Sequence, residues 1–321
     1  MWPELHGFFE AIVEYGADPT PRLILADWLD DHNRSDEAEL MRLHVALLAT
    51  CCAPDQHPER KRQQSRIVEL LAAGVRPCLP RQTIALAEGV DMTFAWIAPG
   101  TFLMGSPMGE PGREDFETLH EVKLPQGFYL GIHAVTQAQW QVVMGDNPSL
   151  SKGENRPVEQ VSWNECQEFC AKLSERDGKR YGLPSEAGWE HACRAGTTTP
   201  FHFGDTISTR QANYNCNYPV NDGTGEYRRQ TTSVGSFSPN AWGLFDMHGN
   251  VSEWCQDEYR PYEEPQNKDT LETKNVGEII RVLRGGSWFC GARSCRAAHR
   301  TSYGQSWCLD LNGFRAAFRL D

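Results

Sequence analysis

The chain has 321 residues, 40% hydrophobic and 23% charged. That globular balance excludes a disordered, collagen-like or coiled-coil polypeptide and leaves room for more than one domain. Thirty-one basic residues against 43 acidic ones give a net charge of −12, which repels phosphate backbones and anionic lipid and argues against nucleic-acid and membrane partners. No run approaches the roughly 18–20 apolar residues of a bilayer crossing, and MWPELHGFFEAIVEYG carries acids where a signal peptide is basic. A soluble, cytoplasmic protein is expected, and its eleven cysteines then read as reduced thiols, mostly core fillers.

Residues 1–52 read as helices. Leu5, Phe8, Phe9, Ile12 and Val13 share one face, and the stretch from Gly16 to Pro21 breaks it. Leu23, Leu25, Trp28 and Leu29 mark a second helix, and Leu40, Met41, Val45, Leu47 and Leu48 a third after Asn33 and Ser35. Asp27, Asp30 and Asp31 read as the solvated face of the second helix rather than as metal ligands. The segment TPRLILADWLDD resembles the repeat-companion module of planctomycete-type bacteria. Residues 53–90 read as a linker, with Ala53 to Arg60 irregular and a short connecting helix from Ile67 to Ala73.

Residues 91–321 form the larger domain. Short apolar runs, frequent glycine and many tryptophans replace helical periodicity from Phe94 onward. Three helix starts stand out. Thr136 and Gln139 make a capping box ahead of Ala138, Trp140, Val143 and Met144, and Ser162 and Glu165 another ahead of Cys166, Phe169, Cys170 and Leu173. Ser185 opens a third helix carrying Trp189, Ala192 and Cys193 and stopped at Gly196. Helices amid irregular, glycine-rich strands make an α+β pattern.

Seven ordered motifs, FAWIAPGTFLMGS, GIHAVTQAQW, RPVEQVSWNECQEFCAKLS, YGLPSEAGWEHACRAG, GLFDMHGNVSEW, LRGGSW and GFRAAF, resemble the formylglycine-generating enzyme or sulfatase-modifying factor family. The resemblance implies a C-type-lectin-like fold with two main helices, little regular strand and long ordered loops. It implies calcium as well: Asp246 and Glu253, with the carbonyls of Gly249 and Val251, match one calcium site of the family, a hard cation ringed by oxygens. Asn213 and the carbonyl of Tyr214 match a second, with Glu226 in place of an aspartate.

Two functional readings follow. In the first, Ser287, Cys290 and Cys295 fall at the spacing of the family's catalytic serine and cysteine pair, which binds copper(I) through soft thiolates and oxidises a substrate cysteine in a CxPxR-type motif to formylglycine. Measured from the other end, the interval from Cys295 to Arg300 is three residues shorter than in active members, and Ser252 stands where they carry tryptophan. The loop GARSCRAAHR looks more like paralogues whose single cysteine fills core space.

In the second reading, TSYGQSWCLDLN brings large apolar groups to a segment that is polar in paralogues. Between LRGGSW and GFR the chain resembles the variable proteins of diversity-generating retroelements, with Phe289, Cys290, Gly291, Ser294, His299, Thr301, Ser302, Tyr303, Trp307, Leu309 and Leu311 as a surface for a protein or other ligand. The histidines form no HxxxH, HxH or HxxE pair, so a zinc or non-haem iron centre is not expected, and neither a phosphate-binding glycine loop nor a GxSxG elbow occurs. The reading favoured is a ligand-binding module; the alternative is a copper-dependent formylglycine-generating oxidase.

Overall fold

The computed structural model describes residues 3–52, 58–218, 225–262 and 278–320. Four helices come first: α1 (Pro3–Glu14), α2 (Thr20–Asp31), α3 (Ser35–Ala49) and α4 (Pro58–Ala72). Leu5, Ile12, Leu25, Leu29, Leu40, Met41 and Leu47 are buried, whereas Leu23 of the anticipated apolar set turns to solvent. Asp27 and Asp30 both pair with Arg42 of α3 at 2.6 Å on the outer face. The stretch assigned to a linker is more ordered than its composition suggests. Residues 53–57 of that assignment lie outside the described residues, but Pro58 to Arg60 belong to α4, a 15-residue helix that starts well before Ile67. Arg60 is buried, and its guanidinium donates to the carbonyls of Leu47, at 3.1 Å, and Gly196.

Strand β1 (Arg81–Ala87) also falls in the stretch assigned to the linker. It is followed by β2 (Val90–Ile97), β3 (Gly100–Met104), β4 (His120–Leu124), β5 (Phe128–Gly131), α5 (Gln137–Met144), α6 (Trp163–Asp177), β6 (Tyr181–Gly182) and α7 (Glu186–Arg194). Then come β7 (Ser252–Glu258), β8 (Ile280–Arg284), β9 (Arg300–Gly304), β10 (Asn312–Phe314) and β11 (Ala317–Phe318). A five-stranded sheet runs β1-β2-β5-β11-β6 and a four-stranded sheet runs β10-β7-β8-β9, with β3 and β4 as a separate pair. This is the α+β architecture expected.

The caps read from sequence form as written. Thr136 and Ser162 accept from the backbone N–H of Gln139 and Glu165, whose side chains return the bond, satisfying two otherwise orphaned donors at each helix start. Ser185 caps α7, but the left-handed turn that ends this helix is taken by Ala195, φ 47°, one residue before Gly196. Gly196 is itself left-handed at φ +88° and packs against Leu47 and Leu48, where a Cβ would stand 3.3 Å from Leu48. Trp140, Trp189, Trp242 and Trp254 are fully buried among Phe94, Phe169 and Phe314, and Cys166, Cys170 and Cys193 are buried with them. One hydrophobic cluster runs from the N-terminal helices through both larger sheets.

Candidate functional site

The loops that follow β8 bring Ser287, Cys290 and Cys295 together. Backbone N–H of Cys290 donates to Ser287 O at 3.0 Å, closing a turn that sets Ser287 Oγ 3.3 Å from Cys290 Sγ. Ala292 to Cys295 form a single 3-10 turn, which sends Cys295 inward. Cys295 is 0% exposed and packs in a second cluster with Phe201, Ile207, Ala212 and Tyr214, while Cys290 sits half-buried at its edge. Burial, reinforced by the neighbouring Cys290, pushes the Cys295 thiol well above its ordinary value. A thiol so enclosed is poor at becoming the thiolate that a soft metal requires. His248, whose imidazole burial holds at about 4, is spent on structure: Nδ1 bonds Cys295 O at 2.7 Å and Nε2 accepts His202 N–H at 3.1 Å.

The residues assigned to a binding surface lie around this turn. Phe289 is 55% exposed and meets Trp288 edge-on, and Trp288 stacks on Tyr227 and donates its indole N–H to Asp310 O at 3.1 Å. That bond ties the start of the segment to its end. Gly291 lies against Tyr218, whose backbone oxygen would stand 2.9 Å from any Cβ, so it offers only backbone. Ser294 is half-buried on the 3-10 turn.

His299 and Thr301 flank Arg300, His299 edge-on to Phe116. Thr301, Ser302 and Tyr303 are half-buried on β9, the outer strand of its sheet. Tyr303 stacks on Trp307, which is 48% exposed. Leu309 and Leu311 are half-buried, and their carbonyls accept Gln160 N–H at 2.9 Å and Ser252 N–H at 2.7 Å. The segment therefore presents two aromatic groups, around Phe289 and around Trp307, on a tail fixed by main-chain bonds.

Beneath it lies a frame of buried ion pairs that sequence reasoning missed. Arg296 grips Glu117 with two bonds of 2.6 and 2.9 Å and reaches Glu110 at 2.6 Å. Arg300 holds both oxygens of Glu186 at 2.7 Å, and Arg284 pairs with Glu186 and Glu190. All four carboxylates and all three guanidiniums are buried, and the forked geometry suits such pairing. The neighbourhood of Tyr303 was missed as well: Arg281, paired across the sheet with Tyr303, stands 3.8 Å over the Trp163 ring. Only strand register could have revealed that.

For the first calcium assignment, Asp246 is half-buried, and one carboxylate oxygen takes Gly235 N–H at 2.7 Å while the buried Oδ1 has no partner. Burial pushes its carboxyl up to about 6. Glu253 is also buried and accepts Arg315 Nε on both oxygens, at 2.9 and 2.8 Å, and Trp189 Nε1 at 2.7 Å. Two carboxylates against one guanidinium leave a negative excess, and the free Asp246 oxygen is the donor type a hard cation takes. The donor set fits. Gly249 and Val251 lie on the same turn, Gly249 with φ +83°. Among the described residues no group of three or more His, Cys, Asp or Glu side chains is placed to hold a metal.

In the second assignment Asn213 is buried with Oδ1 unpartnered, but its Nδ2 is spent on Gln230 O and Asn250 Oδ1. Tyr214 is buried, whereas Glu226 is exposed and anchored by its backbone N–H on Thr209.

The pattern of the sulfatase-modifying factor enzyme 1-like domain matches residues 87–320. The chain belongs to this family. Within the family it is 32% identical over 197 residues to the formylglycine-generating enzyme of Thermomonospora curvata, covering 57% of this chain and 62% of that enzyme. It is 30% identical over 215 residues to chaperone protein LppX of Paenibacillus barcinonensis, covering 54% of this chain and 73% of the relative. Among solved structures, Treponema denticola variable protein 1 superposes with a TM-score of 0.60 at 26% identity, covering 75% of this chain and 99% of its own. The large domain thus has the C-type-lectin-like fold of formylglycine-generating enzymes. No helix among the described residues is long and apolar enough to cross a membrane.

Proposed function

We propose that this family member is a binding module whose ligand meets residues 289–311, not an oxidase. One observation carries the reading: Cys295 Sγ is sealed in an apolar cluster while Phe289 and Trp307 face outward from the same segment. Aromatic anchors among serine, threonine and glycine suit recognition, since they supply contact area at low entropic cost. The likeness to a protein named variable, and to one named a chaperone, supports a family in which the fold serves more than one task. The partner is a protein or other ligand, and a chain of net charge −12 disfavours nucleic acid and anionic membrane. A retroelement origin for the segment predicts a near-copy of its coding sequence beside a reverse transcriptase, differing mainly at template adenines.

Calcium belongs to the same proposal. Asp246 and Glu253, with the carbonyls of Gly249 and Val251, would hold it, and its charge would brace the turn on which Ser252 meets Leu311. The oxidase alternative has one observation in its favour, the 3.3 Å approach of Ser287 Oγ to Cys290 Sγ.

The deciding experiment loads reduced protein with copper(I) and incubates it with oxygen and a CxPxR peptide. We expect neither a stoichiometric thiol-dependent complex nor the mass loss of formylglycine formation. In parallel, joint replacement of Phe289, Tyr303, Trp307, Leu309 and Leu311 by serine or asparagine should leave a cooperative unfolding transition. Peptide conversion, or collapse of the multiply substituted chain, would overturn the proposal.

A further inference from the structure

A second feature lies far from the lectin-like surface, at the seam where α2 and α3 meet the large domain. A cavity of about 220 Å³ opens there, walled by Val45 and Leu48 of α3, Pro99 and Gly100 at the β2–β3 corner, and Arg22, His191 and Trp242. Its polar lining is unusual. Arg22 is only 5% exposed, donates through Nη2 to the carbonyls of Gly16 (2.8 Å) and Asp18 (3.4 Å), and leaves Nε without an acceptor.

Among the described residues no carboxylate pairs with Arg22. The Asp18 carboxylate is turned to Thr20 N–H at 2.8 Å. Trp242, 1% exposed, has its indole N–H unpartnered, and so has Nε2 of buried His44, whose ring stands edge-on to Trp242 at 4.4 Å. Burial keeps His44 and His191 neutral, at about 3 and about 4. The guanidinium is thus the lone formal charge in the cavity lining, and the Asp18 carboxylate that acts on it stands in solvent.

Buried donors without acceptors are rare, and a buried guanidinium with no anion in hydrogen-bonding contact is costly. Water in a space of this size would satisfy hydrogen bonds without neutralising the charge. We infer that the seam is a binding site for a small organic anion, a carboxylate or phosphate ester whose oxygens take Arg22 and the Trp242 N–H while its body lies against Val45 and Leu48. Such a ligand would join the helical part to the large domain, because Arg22 belongs to one and Trp242 to the other. The inference is independent of the lectin-like surface.

The test is isothermal titration of the full chain at constant ionic strength, with inorganic phosphate and separately with isobutyrate, and chloride as control. We expect one-to-one saturable binding of at least one probe. Phosphate alone would assign a phosphate ester and isobutyrate alone a carboxylate. Trp242→Phe keeps a ring and removes the N–H, and should weaken binding about tenfold, the effect of one hydrogen bond to a charged group. Arg22→Met should abolish it, and if that variant does not fold, Trp242→Phe decides. No binding of either probe, binding indifferent to both substitutions, or a response equalled by chloride would overturn the inference.

Discussion

Replacing each cysteine of the candidate pair by serine separates the two functional readings. Cys295 lies at 0% exposure against Phe201, Ile207, Ala212 and Tyr214. A hydroxyl there loses its hydration without gaining an evident partner, because His248 Nδ1 already bonds Cys295 O. Burying a hydroxyl unsatisfied costs about 1–3 kcal/mol, and for a chain of this size that lowers Tm by about 1.5–4.5 °C. Cys290 is half-buried with Ser287 Oγ at 3.3 Å, so its hydroxyl would find a partner, and Cys290→Ser should change stability by no more than about 0.5 kcal/mol. Thermal unfolding followed by circular dichroism reads both values, and copper(I) titration is run on the same samples. Equal stability of the two variants, together with a one-to-one copper complex abolished by either, would refute the assignment of Cys295 to the core.

Three further outcomes are expected. Arg296→Met strands Glu110 and Glu117 without their guanidinium and should destabilise by about 3–5 kcal/mol, measured by urea denaturation; a loss below 1 kcal/mol would show that the pairing is incidental. Calcium at millimolar concentration should raise Tm and chelator should reverse it, with Asp246→Ala removing the response; an unchanged Tm would leave the turn without its cation. Stability should fall on acidification below about pH 6.5, because His44 and His191 have folded values pushed down to about 3 and about 4 by burial. Their contribution is complete above the unfolded histidine value and is lost as pH falls toward the folded ones. The slope there approaches about 1.4 kcal/mol per pH unit for each histidine, so a flat profile between pH 6.5 and 4.5 would contradict their burial as neutral rings.

What could be read in advance was local chemistry. The boxes at Thr136 and Ser162 depend on residues three apart, and a spacing that short survives folding unchanged. The start of α4 was hidden because PERKRQQSR offers no apolar stripe, and its anchor, Arg60, finds acceptors as distant in sequence as the carbonyl of Gly196. The same distance concealed the ion-pair frame: Arg296 and Glu117 are 179 positions apart, and nothing in either neighbourhood marks a charged residue as interior. The exposed aromatics were legible because Phe289 and Trp307 interrupt a polar stretch. The constraint on Gly291 was not, since it comes from Tyr218 across the loop.

Because Gly196 admits Leu47 and Leu48 so closely, and Arg60 clasps the carbonyl of the same glycine, the leading helices are bolted to the body rather than tethered to it. A chain trimmed to begin at residue 80 would bare the edge of Trp242 that His44 covers and leave a sticky scar prone to self-association. Any attempt to graft the lectin-like half onto another scaffold should therefore carry its first eighty residues along as built-in cladding.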